Sequence, residues 1–407
     1  MKILYIHESM GSLGGAESNV LLTARMLSSR GHDIGLVYFQ STGNGGEVWS
    51  QVFNGQLHDA RQAEGFDVTV KYIQEFSPEV VYVHKCQDAE LLQWLVESGL
   101  YLVRMVHDHD IYCMRGYRYN PISRHPCNKK SGSCCIFPCL ANIVRDSRPN
   151  AQFPVKFQSF ANHQRVLHLS RQFDLNFVVT EFMKDQLILN GFSPEKIRIM
   201  PPVPKDSEFV GSGNQDRDNL VLYIGQLIRG KGVDLFIKSL AHVKEPFRAI
   251  IAGDGRERNR CEQLVRKLGL EDRVEFVGFV SQEVLRSYCL RASTVVVPSV
   301  WPEPIATVGL EVLRCGLPVI AFDSGGISDW LKHGKNGFLV KPFDIRGMAH
   351  SIDILLGDKE RARKMGAWGL DFVNREYDFL NYINKLESIL SGETQDTFQK
   401  NASVLLA

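Results

Sequence analysis

The chain has 407 residues, 44% of them hydrophobic and 23% charged, with 47 Lys and Arg against 46 Asp and Glu for a formal net charge of +1. That length and apolar content suit two globular domains, each with its own core. The balanced charge argues against a chain built as a whole for nucleic acid or an anionic surface, and it leaves local basic patches open.

The N-terminus reads MKILYIHESM. Its apolar run is too short for a signal segment and is soon broken by His7 and Glu8. It is expected to form a buried strand over Ile3–His7. No stretch has the unbroken apolar length of a membrane helix, so a cytoplasmic protein is expected, with peripheral contact at the inner membrane face left open. A glycine-rich turn, Gly11–Gly15, precedes a helix over Glu17–Ser29. Strand Asp33–Phe39, helix Phe66–Phe76, strand Val80–His84, helix Leu91–Ser98 and strand Tyr101–His107 follow. Strands alternating with helices imply a parallel sheet covered on both faces.

Residues 110–160 break that rhythm and read as a long insertion after a strand, a common home for function. Cys113, Cys127, Cys134, Cys135 and Cys139 crowd into it, with spacings of no standard finger or ribbon. Reduced thiols, a structural zinc and disulfides are the three readings, and the lack of a secretory signal weighs against the last. The insertion also interleaves Arg115, Arg118, Arg124, Lys129, Lys130, Arg145 and Arg148 with aromatic residues. It is either a solvated basic loop or a surface for an anionic acceptor or membrane.

The alternation resumes with helix Asn162–Arg171, strand Leu175–Thr180, helix Glu181–Asn190 and strand Ile197–Met200. A polar, Pro- and Gly-containing stretch over 204–218 reads as a linker. The pattern then restarts. Strands are expected at Leu220–Ile224, Phe247–Ala252, Val274–Val277, Thr294–Val297 and Pro318–Phe322. Helices are expected at Val233–Ala241, Asn259–Leu268, Glu283–Leu290, Thr307–Cys315, Asp344–Leu356 and Tyr377–Leu390. The expected fold is α/β, two tandem doubly wound Rossmann-like domains (1–203 and 219–375) facing a cleft. A last segment, 376–407, would return to the first domain and end in a tail. Ligands in such sheets sit beyond the carboxyl ends of the strands.

Three segments carry chemistry. Glu303-Pro-Ile-Ala-Thr-Val-Gly-Leu-Glu311 follows a strand and runs into a helix whose free N–H groups suit a diphosphate. Glu311 is placed to accept from ribose or sugar hydroxyls. Gly225-Gln-Leu-Ile-Arg-Gly-Lys-Gly232 follows another strand, and its Arg229 and Lys231 would neutralise a leaving diphosphate. Gly253-Asp-Gly255 and Gly325-Gly326 allow close backbone approach to a ligand, or are simply tight turns.

In their order and context these segments resemble glycosyltransferase family 4, of GT-B fold. The resemblance also includes Gly14-Gly-Ala-Glu17, Val106-His-Asp108, Thr180-Glu-Phe-Met183 and Val277-Gly-Phe279. It implies transfer of a sugar from a nucleoside-diphosphate sugar, UDP- or GDP-linked, to a glycan or lipid-linked acceptor in surface polysaccharide synthesis. The anomeric configuration would be retained, with no cofactor or metal required and no nucleic-acid partner. By the same resemblance Lys231 binds the diphosphate, Glu303 contacts the transferred sugar and Glu311 binds ribose. Backbone N–H groups of Ile305, Ala306, Thr307 and Val308 hold phosphate or sugar oxygens, while Gly278 and Phe279 flank the base. Gly14 and Gly15 approach the phosphates from the other domain. His107 is the active-site histidine, as base or sugar ligand, with Asp108 beside it. On the acceptor side, the basic insertion would add Arg115 and Arg118. The chain departs from the family pattern at Gln226, where an Arg is usual, with Arg229 expected to supply the charge, and at Ala306, where many relatives have Gly. Asp108-His-Asp110 looks like a metal motif of another transferase fold and is discounted on its position. The absence of a Gly-x-Gly-x-x-Gly turn disfavours a dinucleotide oxidoreductase. An inactive sugar-nucleotide-binding subunit and a phosphorylase or synthase of the same fold remain alternatives.

Overall fold

The computed structural model describes residues 1–11, 14–61, 65–120, 122–145, 155–203 and 217–392. The linker expected over 204–218 lies mostly outside them, as do parts of the first glycine turn, of the insertion and of the C-terminal tail. Two parallel sheets organise the chain. The first contains β1 (Lys2–Met10), β2 (Asp33–Ser41), β3 (Leu57–Asp59), β4 (Val80–Val83) and β5 (Tyr101–Val106). The insertion contributes a small antiparallel hairpin, β6 (Ile143–Arg145) and β7 (Val155–Phe157). Two further strands, β8 (Leu175–Val178) and β9 (Ile197–Ile199), complete the first sheet. Its order is β3-β2-β1-β4-β5-β8-β9. The second sheet has β10 (Leu220–Ile224), β11 (Arg248–Ala252), β12 (Val274–Gly278), β13 (Thr294–Val297), β14 (Val319–Phe322) and β15 (Gly337–Val340), in the order β12-β11-β10-β13-β14-β15.

Central strands such as Val80–Val83 and Thr294–Val297 are buried at every residue. That is the signature of parallel strands covered by helices on both faces. In both sheets the order reverses beside the first strand, between β1 and β4 and between β10 and β13. These are the topological switch points where a crevice opens at the carboxyl ends.

Short elements that sequence patterning passes over include helix Gly46–Val52, β3, β15 and the hairpin. The largest is helix Lys359–Glu376, which buries Ala362, Met365, Gly366, Gly369, Phe372 and Val373 along one face. Two glycines on that face hide its apolar period. They are small because the helix lies close against its neighbours: a Cβ at Gly366 would fall 1.9 Å from the Gly316 carbonyl oxygen, and one at Gly369 would fall 2.6 Å from Leu313.

The two domains are tied in several places. Helix Phe379–Leu390 lies against the first domain, where Glu387 pairs with Arg30 and with His32 at 2.6 Å. One apolar cluster, running from Ile3 and Tyr5 through Leu222 and Val295 to Leu386, spans both domains. From the insertion, Arg124 reaches Asp234 with two N–H donors at 2.9 and 3.0 Å and the Arg229 carbonyl at 2.6 Å. Asp234 sits in the first turn of helix Val233–Leu240, where a negative charge is favoured. Both side chains of this pair are largely buried, so losing one partner strands the other. Arg124→Ala should therefore cost about 3 kcal/mol, read as a lower unfolding midpoint, and should speed proteolysis within the insertion. Lys238→Ala, removing the more exposed cation 4.0 Å from Asp234, should do neither.

Candidate active site

The second sheet's switch point brings together the turn after β10 and the loop after β13. The turn is a short 3-10 element, Arg229–Lys231, closed by Gly232 at φ +71°. Only glycine fits there, because a Cβ would sit 1.8 Å from the Pro298 carbonyl oxygen. Across the switch, Glu303 is 2% exposed, although the resemblance has it contact the transferred sugar. One carboxylate oxygen accepts from Lys231 Nζ at 2.8 Å, Ser299 Oγ at 2.5 Å and Trp301 Nε1 at 2.5 Å. Lys231 Nζ also lies 5.0 Å from the centre of the Trp301 ring, within cation–π range. Burying a carboxylate demands this kind of satisfaction. Ser299 and Trp301 escape a motif search because they orient a charge and carry none.

The first domain pins the same loop. His109 Nε2 lies 2.7 Å from the Pro302 carbonyl and its Nδ1 2.6 Å from Tyr112 OH. A carbonyl only accepts, so the ring donates from Nε2 and accepts the tyrosine proton at Nδ1. Thr180, which caps helix Glu181–Leu189, donates to the Pro304 carbonyl at 2.9 Å. Trp330 donates to Ile305 O at 2.5 Å, and Gly326 N donates to Glu303 O at 2.7 Å. Gly325 and Gly326 are needed as glycines, since a Cβ on either would fall 2.4 Å from the loop's backbone.

Downstream, Ala306 is held at φ +57°, ψ +68°, a left-handed conformation that glycine enters freely and alanine does not. No described residue accepts from the backbone N–H groups of Ile305, Ala306, Thr307 or Val308. Glu311 is partly buried, and its carboxylate has no hydrogen-bond partner among the described residues. Burial raises its pKa.

The remaining glycine turns pack on one another. A Cβ on Gly253 would meet the Gly225 carbonyl oxygen at 2.0 Å, and one on Gly255 the Leu227 carbonyl oxygen at 2.6 Å. Gly225 N donates to Ala252 O and Gly253 N to Gly278 O, extending the strand ladder past β10 and β11. Phe279, just beyond β12, is 81% exposed. Arg229 is partly exposed in its turn, and Gln226 is exposed.

In the first domain, His7 lies within β1, and His84 and His107 directly follow β4 and β5. His84 Nδ1 lies 2.7 Å from His107 Nε2, and His7 Nε2 lies 3.3 Å from Glu17. Burial, with His7 nearby, pushes His107 down to about 3, so its ring is neutral at pH 7. Burial also lowers His84 well below the usual value and takes His109 down to about 4. Lys85 bridges Asp108 and Asp110 at 2.8 and 3.1 Å. Burial and the adjacent Asp108 push Asp110 up to about 7. Lys85 and the Asp110 N–H outweigh burial at Asp108 and hold it low. The two carboxylates thus face a lysine, and His109 between them turns to Pro302. Sequence reading overlooks His7, His84 and Lys85; a polar residue at the end of each parallel strand is the signal that could have found them. Gly14 and Gly15 are exposed at the start of helix Gly15–Ser29, which has no side-chain cap.

Within the insertion, Arg118 is buried. It donates to Lys129 O and Gln186 and stacks over Tyr112, so it ties the insertion down and is not open to an acceptor. Arg115 donates to the carbonyls of Cys139 and Leu140. Cys113, Cys127, Cys134, Cys135 and Cys139 are free thiols. Among the described residues no three His, Cys, Asp or Glu side chains converge as a metal site requires.

The histidine shifts set an acid limit. A histidine held neutral below its ordinary pKa takes up a proton more readily when unfolded, so it stabilises the fold above about pH 6.5 and loses that contribution as pH falls toward its folded value. His84, His107, His109 and His163, which burial lowers to about 4, all act this way. Asp110, raised, acts oppositely between its ordinary value and about 7. His58, also lowered by burial, adds to the histidines, and Glu311 and Asp329, raised by burial, add to Asp110. Five histidines outweigh three acids, so stability should fall from pH 7 to pH 5, by on the order of 1.4 kcal/mol per pH unit for each unopposed group, read as a falling unfolding midpoint. A midpoint that holds or rises over that range contradicts this assignment.

Comparison with known proteins agrees with the geometry. Residues 204–369 match the family model for glycosyl transferases group 1. Over 178 residues the chain is 34% identical to an uncharacterized glycosyltransferase of Methanocaldococcus jannaschii, covering 43% of this chain and 45% of that one. Over 182 residues it is 28% identical to a GDP-mannose-dependent alpha-(1-6)-phosphatidylinositol monomannoside mannosyltransferase of Mycobacterium tuberculosis, covering 42% and 47%. The chain thus spans just under half the length of these curated relatives. Among solved structures, Anabaena HepE in complex with UDP and glucose superposes with a TM-score of 0.71 at 20% identity, over 96% of this chain and all of that one. The two parallel-sheet domains have the GT-B fold, and the second of them is similar, over residues 204–369, to the glycosyl transferases group 1.

Proposed function

We propose that this protein is a retaining glycosyltransferase of family 4. It moves a hexose from a UDP- or GDP-sugar held by residues 219–375 to a glycan or lipid-linked acceptor held by residues 1–203, in surface polysaccharide or glycoconjugate synthesis. The observation that carries this reading is the convergence, at one switch point, of Lys231, the clamped Glu303, a row of free amides at Ile305–Val308 and the unpartnered Glu311. A diphosphate is the anion that such a lysine and such amides suit. Vicinal hydroxyls suit a carboxylate that lacks donors.

The donor enters a site whose charges already face each other. Its diphosphate draws Lys231 from Glu303, and Ser299 and Trp301 keep the carboxylate oriented toward the sugar hydroxyls. Lys231 and Arg229 then stabilise the charge that grows on the leaving oxygen. Ser299, whose hydroxyl meets the Glu303 carboxylate, is buried at 1% exposure, and no covalent nucleophile is assigned. The acceptor hydroxyl therefore attacks from the side the diphosphate leaves and passes its proton to the departing phosphate. His107, neutral and held by His84, hydrogen-bonds the transferred sugar. No step calls for a metal.

The test is thermal unfolding with UDP, GDP, ADP and NAD, each with and without magnesium. One nucleoside diphosphate at about a hundred times its dissociation constant should stabilise the protein by roughly 2.7 kcal/mol, independent of magnesium. Glu311→Ala should weaken that binding by about 1.5–3 kcal/mol. His107→Ala should leave it intact and abolish transfer. A shift with NAD alone, or transfer by an inverting course, would overturn the reading.

A further inference from the structure

We infer that the insertion after β5 docks this protein on an anionic lipid surface, through an apolar patch at Phe137 and Phe157 flanked by Lys129 and Lys130. The inference rests on the transferase reading only in placing the acceptor beside that surface. The patch itself is argued from charge and exposure.

The chain as a whole is nearly neutral, but its charge is unevenly placed. From Ile111 to Phe173 there are ten Lys and Arg and a single acidic residue, Asp146. The remainder of the chain is therefore net acidic. Inside the described part of the insertion, Arg115, Arg118 and Arg124 are bound to carbonyls, Gln186 or Asp234. Lys129 and Lys130 are exposed and pair with no carboxylate among the described residues. A basic stretch with a single acid is attracted to anionic headgroups.

The apolar component lies next to these lysines. The Lys130 carbonyl is 3.4 Å from Cys134 Sγ, three residues before Phe137. Phe137 and Phe157 are each 77% exposed, and Ile136, Leu140 and Val155 are also exposed. Leu140 N donates to Ile136 O, Phe157 pairs with Ile143 across the hairpin, and Gln158 N donates to Asn142 O. The two phenylalanines thus belong to one folded unit. Aromatic rings left in water next to lysines are what an interfacial anchor presents.

Placement fits as well. The same insertion packs Tyr117 against Trp301, ring centres 5.1 Å apart, and ties Arg124 to the Arg229 carbonyl. The insertion that carries Phe137 therefore also touches the loops of Lys231 and Glu303. Among the described residues no helix is long and apolar enough to cross a membrane, so the contact is interfacial.

The experiment is co-sedimentation of the full chain with vesicles of phosphatidylcholine alone or mixed with phosphatidylglycerol, at about 0.1 M salt, where screening acts over about 10 Å. Wild type should bind the anionic vesicles and not the neutral ones. Phe137→Ser with Phe157→Ser, and separately Lys129→Glu with Lys130→Glu, should each weaken binding about tenfold or more. Nucleoside-diphosphate binding and the unfolding midpoint, measured on the same variants, should match wild type, because these side chains are exposed and outside the cleft. That control separates failure of this inference from failure of the transferase reading. Absence of vesicle binding, equal binding to neutral vesicles, or unchanged binding by either double variant would overturn it. So would self-association that disappears in Phe137→Ser, which would assign the patch to a second copy of the chain.

Discussion

The buried carboxylate of Glu303 is the constraint around which the second domain is arranged. An ionised group at 2% exposure is tolerable only with a counter-charge and hydrogen-bond donors in place. Those partners come from both sides of a switch point: Lys231 from the turn after β10, Ser299 and Trp301 from the loop after β13. Their meeting depends on backbone approaches that no side chain could survive. Gly232 lets the lysine turn lie on Pro298, and Gly325 and Gly326 let the next loop pair with Glu303 itself.

The same loop couples the domains. Pro302 and Pro304 flank Glu303, and neither has an N–H, so each offers the surroundings only a carbonyl. The first domain supplies the matching donors, His109 to Pro302 and Thr180 to Pro304. The insertion holds the opposite half of the ion pair, because Arg124 fixes the carbonyl of Arg229, two residues from Lys231. Relative motion of the domains therefore pulls on both members of the Lys231–Glu303 pair. A hinge opening cannot leave that pair unaltered.

Much of this was legible in the sequence, and the reasons differ by residue. The sheets declare themselves because parallel strands buried on both faces read as unbroken Val and Ile runs between turns. Lys231, Glu303 and Glu311 stand out because charges beyond parallel strands fall at the site by topology. What the sequence hides is pairing at a distance. Nothing in Gly225–Gly232 says that its lysine will meet a glutamate 72 positions on. His109 is masked by two aspartates that mimic a metal motif, and Arg124 looks like any solvated loop cation. The glycines mislead in another way: Gly253 and Gly225 invite a ligand, yet their close approach is to each other. Ala306 is legible in retrospect, since a position where relatives carry Gly proves to be left-handed.

The preformed ion pair bears on how such a site could favour transfer over mere binding. Contacts equally strong to donor and to transition state lower the donor's dissociation constant without hastening the reaction. On the proposed reading Lys231 gives up Glu303 in part to reach a diphosphate, so the first gain on binding is offset by the loss of a charged partner. As the bond to the sugar breaks, negative charge concentrates on the leaving oxygen, and the lysine's attraction to it grows while that to Glu303 does not. The competition thus discounts the ground state more than the transition state. Glu303, still fixed by Ser299 and Trp301 at 2.5 Å each, needs no reorganisation when the lysine leaves, which is the condition under which fixed dipoles assist charge separation most effectively.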